Sequence, residues 1–227
     1  MRTDIFTLYF PFDVELNRKG AAAFKESIGN IKTGETILEN STPALDNTLG
    51  VVDTRKEDEF KKGHLPHSIN LMEDGKFETW LGSIIKPDEK FYLAGEDKEQ
   101  IQRMLERVAA IGYESQVEKT FVVEDANLQQ EKINVDEFNK HEDDYTIVDV
   151  RNVSEVNHGK IFPASISIPL SEIRNRVDEL PTGKPIVVHC AGGYRSAAAS
   201  SLIQSKLNGS VKVFDLGEAV KEFQTVK

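Results

Sequence analysis

The chain has 227 residues, a formal net charge of −10, and 39% hydrophobic and 8% aromatic residues. That is enough apolar material for one large core or two ordinary ones, and the negative balance argues against nucleic acid and anionic membrane as partners. A single cysteine, Cys190, excludes an intramolecular disulfide and a multi-thiolate zinc site. The first residues are interrupted by charge, so no signal-peptide apolar region is expected, and no run approaches the ~20 apolar residues of a membrane span. A soluble, reducing, cytoplasmic setting follows as the expectation.

In chain order, residues 1–33 read as an N-terminal extension. Phe6, Leu8, Phe10 and Phe12 alternate as an edge strand would, although Pro11 weakens that pattern. Residues 34–49, rich in Gly, Thr, Asn and Pro, predict an irregular lead-in. A strand at residues 90–94 precedes a helix on which Ile101, Met104, Leu105, Val108 and Ala109 recur at helical spacing. Residues 122–130 are polar enough to be a linker. Asn134 can cap a short helix that begins at Val135. Residues 146–150 predict a buried strand, and residues 178–185 a turn. A strand over 186–190 ends at Cys190. A tight glycine-containing loop and an alanine-rich helix follow it.

The chain also repeats itself. Val51-Val52-Asp53-Thr54-Arg55 matches Ile147-Val148-Asp149-Val150-Arg151, 96 positions later; Glu59 then matches Glu155, and Gly63 matches Gly159. Residues 91–94 align with 187–190. A period this long is not a solenoid. It predicts two copies of one small domain, at residues 34–122 and 128–227. Short β-branched strands alternate with helical stretches in each, which predicts an α/β fold with two mostly parallel sheets flanked by helices.

Cys190 is the residue on which chemistry can be built. The thiolate, not the thiol, is the nucleophile. The helix starting near Ser196 points its positive end at the loop. The amides of Ala191, Gly192, Gly193, Tyr194, Arg195 and Ser196 can curl round the sulfur as a nest of donors, and Gly192 and Gly193 permit the backbone angles of such a curl. Arg195 adds a cation at the rim. These features are expected to lower the thiol pKa. Four residues separate Cys190 from Arg195. Cysteine phosphatases place five between the same two residue types, a wider cradle that fits a tetrahedral phosphate. The shorter loop favours a terminal sulfur atom over phosphate.

The second copy resembles a rhodanese domain. The resemblance rests on the Asp149-Val150-Arg151 strand end, Glu155, residues 159–169 and the loop from Cys190 through Ser196. It implies that Cys190 takes sulfane sulfur from thiosulfate or a low-molecular-weight persulfide, holds it as a persulfide, and passes it to a thiol or cyanide. Arg195 would help bind the anionic donor. No cofactor or metal is implied. A thiol acceptor is implied as partner, and a protein sulfur acceptor or an oxygenase remains open as a further one. The first copy is similar but places Ala94 at the cysteine position and Glu99 at that of Arg195, so it is expected to be catalytically silent. Residues 17–20, 63–66, Trp80 and 112–113 also resemble the rhodanese part of fusions that carry a metallo-β-lactamase-like persulfide dioxygenase. The five histidines of this chain form no clustered ligand motif, so the oxygenase activity is not carried over.

Other residues favour plainer readings. His189 precedes the nucleophile on a strand and should pack in the core. Asp149 and Arg151 read as a structural pair, because the first copy keeps both as Asp53 and Arg55. His64 and His67 read as a turn rather than a metal site. Tyr194, at the loop's tip, could meet an acceptor protein or shield the sulfur. A persulfide carrier or interaction module is the main alternative function; a cysteine phosphatase or arsenate reductase is a weaker one.

Overall fold

The computed structural model describes residues 38–39, 45–124 and 126–224, so the 1–33 extension and its alternating phenylalanines lie outside the described residues. The first sheet holds β1 (Leu38–Glu39), β2 (Gly50–Asp53), β3 (Ser68–Asn70), β4 (Phe91–Gly95) and β5 (Val117–Val122), in the order β1-β5-β4-β2-β3. Helices α1 (Glu57–Lys62), α2 (Phe77–Ile84) and α3 (Lys98–Ala109) accompany it. The second sheet holds β6 (Thr146–Asp149), β7 (Ile166–Ser167), β8 (Ile186–His189) and β9 (Val213–Asp215), in the order β7-β6-β8-β9. Its helices are α4 (Val135–Lys140), α5 (Val153–His158), α6 (Leu170–Arg176), α7 (Tyr194–Leu207) and α8 (Val220–Gln224). Neighbouring strands run parallel throughout. Without β1, the two sheets correspond strand for strand, so the repeat in the sequence is a repeat of topology.

Local sequence explains the elements. Parallel strands are covered on both faces and need apolar runs; Val51, Val52, Leu93, Val187 and Val188 are all buried. The Asp97 side chain caps α3 by accepting from the Gln100 N–H at 2.7 Å, and the helix buries Ile101, Met104, Leu105, Val108 and Ala109. The Asn134 side chain accepts from the Glu137 N–H at 3.2 Å and starts α4. The linker expected at residues 122–130 is fastened at Leu128. The backbone of Leu128 pairs with that of His64 in both directions, at 2.8 and 3.2 Å, which fastens the crossover to the first copy.

The two copies share a core. In α7 every residue from Ser196 through Ile203 is buried. A helix buried all round is an interior helix. Its alanines and serines are small enough for β3, the edge strand of the other copy, to approach. There the Asn70 N–H donates to Ser201 Oγ at 2.9 Å, so the exposed edge is covered and partly satisfied. One apolar cluster runs through both copies, joining Leu81 and Ile84 of α2 to Ile173 of α6 and Ile203 of α7. Arg174 adds a paired contact to Glu89 at 2.5 and 2.7 Å.

A buried cation also crosses the interface. Lys61 of α1 is 7% exposed, with Nζ 2.7 Å from Glu57 and 3.0 Å from Asp215 at the end of β9. Burial opposes its charge, but Asp215 and Glu57 outweigh that and hold its pKa above the ordinary lysine value. Removing one partner of a buried pair leaves the other charge uncompensated. Lys61→Met is therefore expected to cost about 3–5 kcal/mol of unfolding free energy, read by chemical denaturation. Adding Asp215→Asn should recover part of that loss; a double variant no more stable than the single one would contradict the account.

His189 of β8 gives a second test. It is fully buried, meets Phe162 edge-on at 4.8 Å between ring centroids, and lies 3.8 Å from an Asp149 oxygen. Burial lowers its pKa from 6.5 to about 4, against the pull of Asp149. The unfolded chain takes up this proton below about pH 6.5 while the folded chain resists until about pH 4. The neutral ring thus contributes fully above that window, and its contribution is lost as the pH falls through it, by about 3 kcal/mol in all. The wild-type loss of stability over this range should shrink by that amount in His189→Leu. An unchanged pH slope in the variant would refute the assignment.

Candidate active site

Both sheets present their strand C-termini to one edge of the molecule, where loops gather in parallel α/β folds. β8 ends at His189, one residue before Cys190, and α7 begins at Tyr194. The sharp reversal between them needs Gly193, whose φ of +100° is a region that favours glycine. A Cβ there would also come within 3.2 Å of the Gly217–Glu218 backbone. Gly192 has no such need: its φ is not positive, and a Cβ would meet nothing within 4 Å. The loop's conformational demand thus falls on one glycine rather than two.

The Gly193 N–H donates to Cys190 Sγ at 3.2 Å. Ser196 Oγ lies 3.7 Å from the sulfur and itself donates to the Gly193 carbonyl at 2.9 Å. Among the described residues the sulfur thus has one main-chain donor, not the ring of six amides that the sequence suggested. The first turn of α7 is already formed, with the Ala197 N–H committed to the Gly193 carbonyl at 3.0 Å. Ala191 and Gly192 are exposed, and the Ala191 carbonyl accepts from Gln224 at 3.0 Å. Cys190 is only 2% exposed.

The next two loop residues are held by other parts of the fold. The Tyr194 hydroxyl donates to the Met72 carbonyl at 2.9 Å. Its ring lies against Gly75, where a Cβ would come within 3.1 Å of it and where φ is +77°. Tyr194 therefore docks on the first copy instead of pointing free at an acceptor. Burial raises its pKa. Arg195 is not a free cation at the rim. Its guanidinium makes a two-pronged pair with Glu155 at 2.5 and 2.9 Å and sits 5.8 Å from the centre of the Trp80 ring. Burial opposes its charge, yet the Glu155 bond and the nearby Cys190 raise its pKa. Glu155 is fixed in turn by the Asn152 N–H at 3.0 Å, and the Arg195 bond holds its pKa below the usual carboxylate range.

Glu155 and Trp80 stand out here although the sequence assigned neither a role at the loop. The Asn152-x-x-Glu155 spacing is a helix-start signal, but nothing in it points to Arg195. Asp149 and Arg151 lie one strand over. Arg151 grips Asp149 through Nε and Nη2 at 3.0 and 2.7 Å and reaches the Gly159 carbonyl at 3.1 Å. Arg55 does the same with Asp53 and the Gly63 carbonyl, at 3.0, 2.6 and 2.8 Å. The aspartate pKa is lowered at Asp149 because the Arg151 contacts outweigh burial.

The first copy departs further than the sequence alignment implied. Asp53 pairs with Ala94 as Asp149 pairs with His189, so the residue equivalent to Cys190 is Gly95, not Ala94. A Cβ on Gly95 would come within 2.9 Å of Gln100 Oε1 and of Ile101. Gln100 Oε1 accepts the Glu96 N–H at 2.7 Å, so a side-chain oxygen fills this loop. His64, buried, stacks on Phe60 at 4.3 Å and contacts the Phe60 carbonyl at 3.1 Å through Nδ1.

Comparison with known proteins bears on the whole arrangement. The chain is 31% identical over 77 residues to the uncharacterized protein YqhL of Bacillus subtilis, covering 34% of this chain and 59% of that one. It is 30% identical over 69 residues to a sulfurtransferase of Allochromatium vinosum, covering 30% and 64%. The matches thus span about three fifths of those relatives' lengths. Among solved structures, a rhodanese-related protein from Thermoplasma volcanium is 32% identical, with 41% of this chain and 89% of that one covered at a TM-score of 0.37. The rhodanese-like domain model matches at residues 37–123 and again at 134–225, and the chain therefore belongs to the rhodanese-like domain family, with two copies in tandem.

Proposed function

We propose that the second copy is a sulfurtransferase that moves sulfane sulfur from thiosulfate or a low-molecular-weight persulfide to a thiol or cyanide. The observation that carries this reading is the sulfur of the sole cysteine, held at a strand end with a main-chain N–H 3.2 Å away and the start of a fourteen-residue helix beside it. In the first step the Cys190 thiolate attacks the sulfane sulfur. The bond between that sulfur and the rest of the donor breaks, and its electron pair leaves as sulfite or a thiolate. In the second step an acceptor thiolate or cyanide takes the outer sulfur and returns the Cys190 thiolate. The Gly193 amide and the helix dipole stabilise the anionic sulfur in both.

The first copy, with Gly95 at the cysteine position and Gln100 in its loop, is read as catalytically silent and structural. Among the described residues no helix is long and apolar enough to cross a membrane; a reducing cytoplasm is the compartment that would keep Cys190 free. The resemblance to dioxygenase fusions supports an oxygenase acting on persulfides as a working partner.

One observation favours a second reading. The low exposure of Cys190 suits a carrier that stores one sulfur and releases it to a docked partner. Turnover with thiosulfate and cyanide separates this from catalysis, because a carrier only labels stoichiometrically. A phosphatase is disfavoured by the four-residue spacing to Arg195 and by the single amide at the sulfur.

Cys190→Ala is expected to abolish both turnover and the mass increase of about 32 Da that one added sulfur atom makes after exposure to donor. Residual turnover in that variant would end the proposal. Gly193→Ala, which forces a side chain into a left-handed backbone and against Gly217, should lower kcat by at least about tenfold while leaving a cooperative unfolding transition.

A further inference from the structure

The loop cation beside Cys190 is already paired with a carboxylate, and this bears on the donor. Arg195 is the cation that the loop itself supplies. Its guanidinium is committed to Glu155 through two bonds at 2.5 and 2.9 Å, and only 13% of the side chain is exposed. Glu155 cannot swing away cheaply, because the same oxygen that meets Arg195 also accepts the Asn152 N–H at 3.0 Å at the start of α5. Trp80 packs over the guanidinium from the other copy. The neighbouring cations are matched too. Lys61 is held by Glu57 and Asp215, Arg107 by Glu78, and Lys221 by Glu218. Lys56 and Lys76 are exposed to solvent, where their charge is screened.

The two donor classes place different charge in this environment. Thiolate plus thiosulfate gives Cys190–S–S⁻ plus sulfite, with three negative charges on each side of the step. Thiolate plus an alkyl persulfide R–S–SH gives Cys190–S–SH plus R–S⁻, with one. In each case the new S–S bond forms to Cys190 as the donor's own bond to sulfur breaks and the electron pair departs with the leaving group. Three charges meeting a neutralised arginine and a protein of net charge −10 are repelled both at long range and in contact. One charge fits the single amide and the helix end.

We infer that Glu155 is the specificity-determining residue of this site: by occupying Arg195 it selects a persulfide carried on an uncharged thiol over thiosulfate as donor. The inference rests on the sulfurtransferase reading and narrows its substrate class. Glu155 acts through Arg195 and does not itself touch the sulfur.

The test follows persulfide formation on the full chain by mass spectrometry in single turnover, with thiosulfate and with the persulfide of 2-mercaptoethanol as donors. The wild-type second-order rate constant should be at least about tenfold higher for the persulfide. The thiosulfate rate should rise with added salt, as screening relieves repulsion, while the persulfide rate stays flat. In Glu155→Gln, which keeps the Asn152 contact but frees the Arg195 charge, the thiosulfate-to-persulfide rate ratio should rise at least about fivefold. Equal or faster labelling by thiosulfate in the wild type, or an unchanged ratio in a folded Glu155→Gln, overturns the inference and leaves the sulfurtransferase reading intact. Should Glu155→Gln fail to fold, the wild-type ratio and its salt dependence decide. No adduct on Cys190 with either donor overturns both.

Discussion

The burial of α7 from Ser196 through Ile203 is the constraint on which the rest of the molecule depends. Its inner face packs on its own sheet, and its outer face accepts β3 of the other copy, with Ser201 meeting the Asn70 amide. A helix clamped on two sides has no freedom to tilt. Its first turn is consequently fixed against the end of β8, and with it the Gly193 amide that faces Cys190 Sγ. The small side chains of α7 make this possible. Larger ones would hold β3 away and break the shared core. The price of such a helix is that it stabilises little by itself and relies on both neighbours.

The same clamping gives the first copy a place in the site. Met72 and Gly75 receive Tyr194, and Trp80 covers Arg195. Lys61 reaches across to Asp215, and Glu57 lies against Gly217, which in turn backs Gly193. These contacts are short and mostly local to one edge, so displacement of the first copy would be felt directly by the loop. With glycine at the position equivalent to Cys190, the first copy's own loop closes on itself. Gln100 fills the space, and its carboxamide oxygen accepts the Glu96 amide.

The electrostatic design is one of local cancellation in an acidic protein. Arg195, Lys61 and Arg151 are all largely buried, and each is matched by carboxylates within hydrogen-bond distance. Buried charges survive only when paired. Beside the paired Arg195, what acts on the sulfur is dipolar: one amide and a helix end. Under the sulfurtransferase proposal, such a site would stabilise a single small anion without attracting highly charged ones from solution. His189, neutral beneath the loop, keeps a further charge away from the thiol.

The sequence by itself determined the duplicated α/β architecture, the position of the sole cysteine on a strand-to-helix turn, and the absence of a second thiol. Period-two and 3.6-residue patterns, glycine at the turn and a 96-residue self-match are local or translational signals, and these survive in one dimension. Only the tertiary structure decided what the loop residues touch. Arg195 looks like a free cation beside Cys190 until α5 brings Glu155, forty residues earlier, against it. Tyr194 looks exposed until the first copy closes over it. Gly95, rather than Ala94, is seen to match Cys190 only once the strands are paired, because one residue of slip changes no composition or periodicity but moves every hydrogen bond in the sheet. Contacts between residues far apart in the chain are set by how two buried surfaces fit, and no single stretch of sequence carries that information.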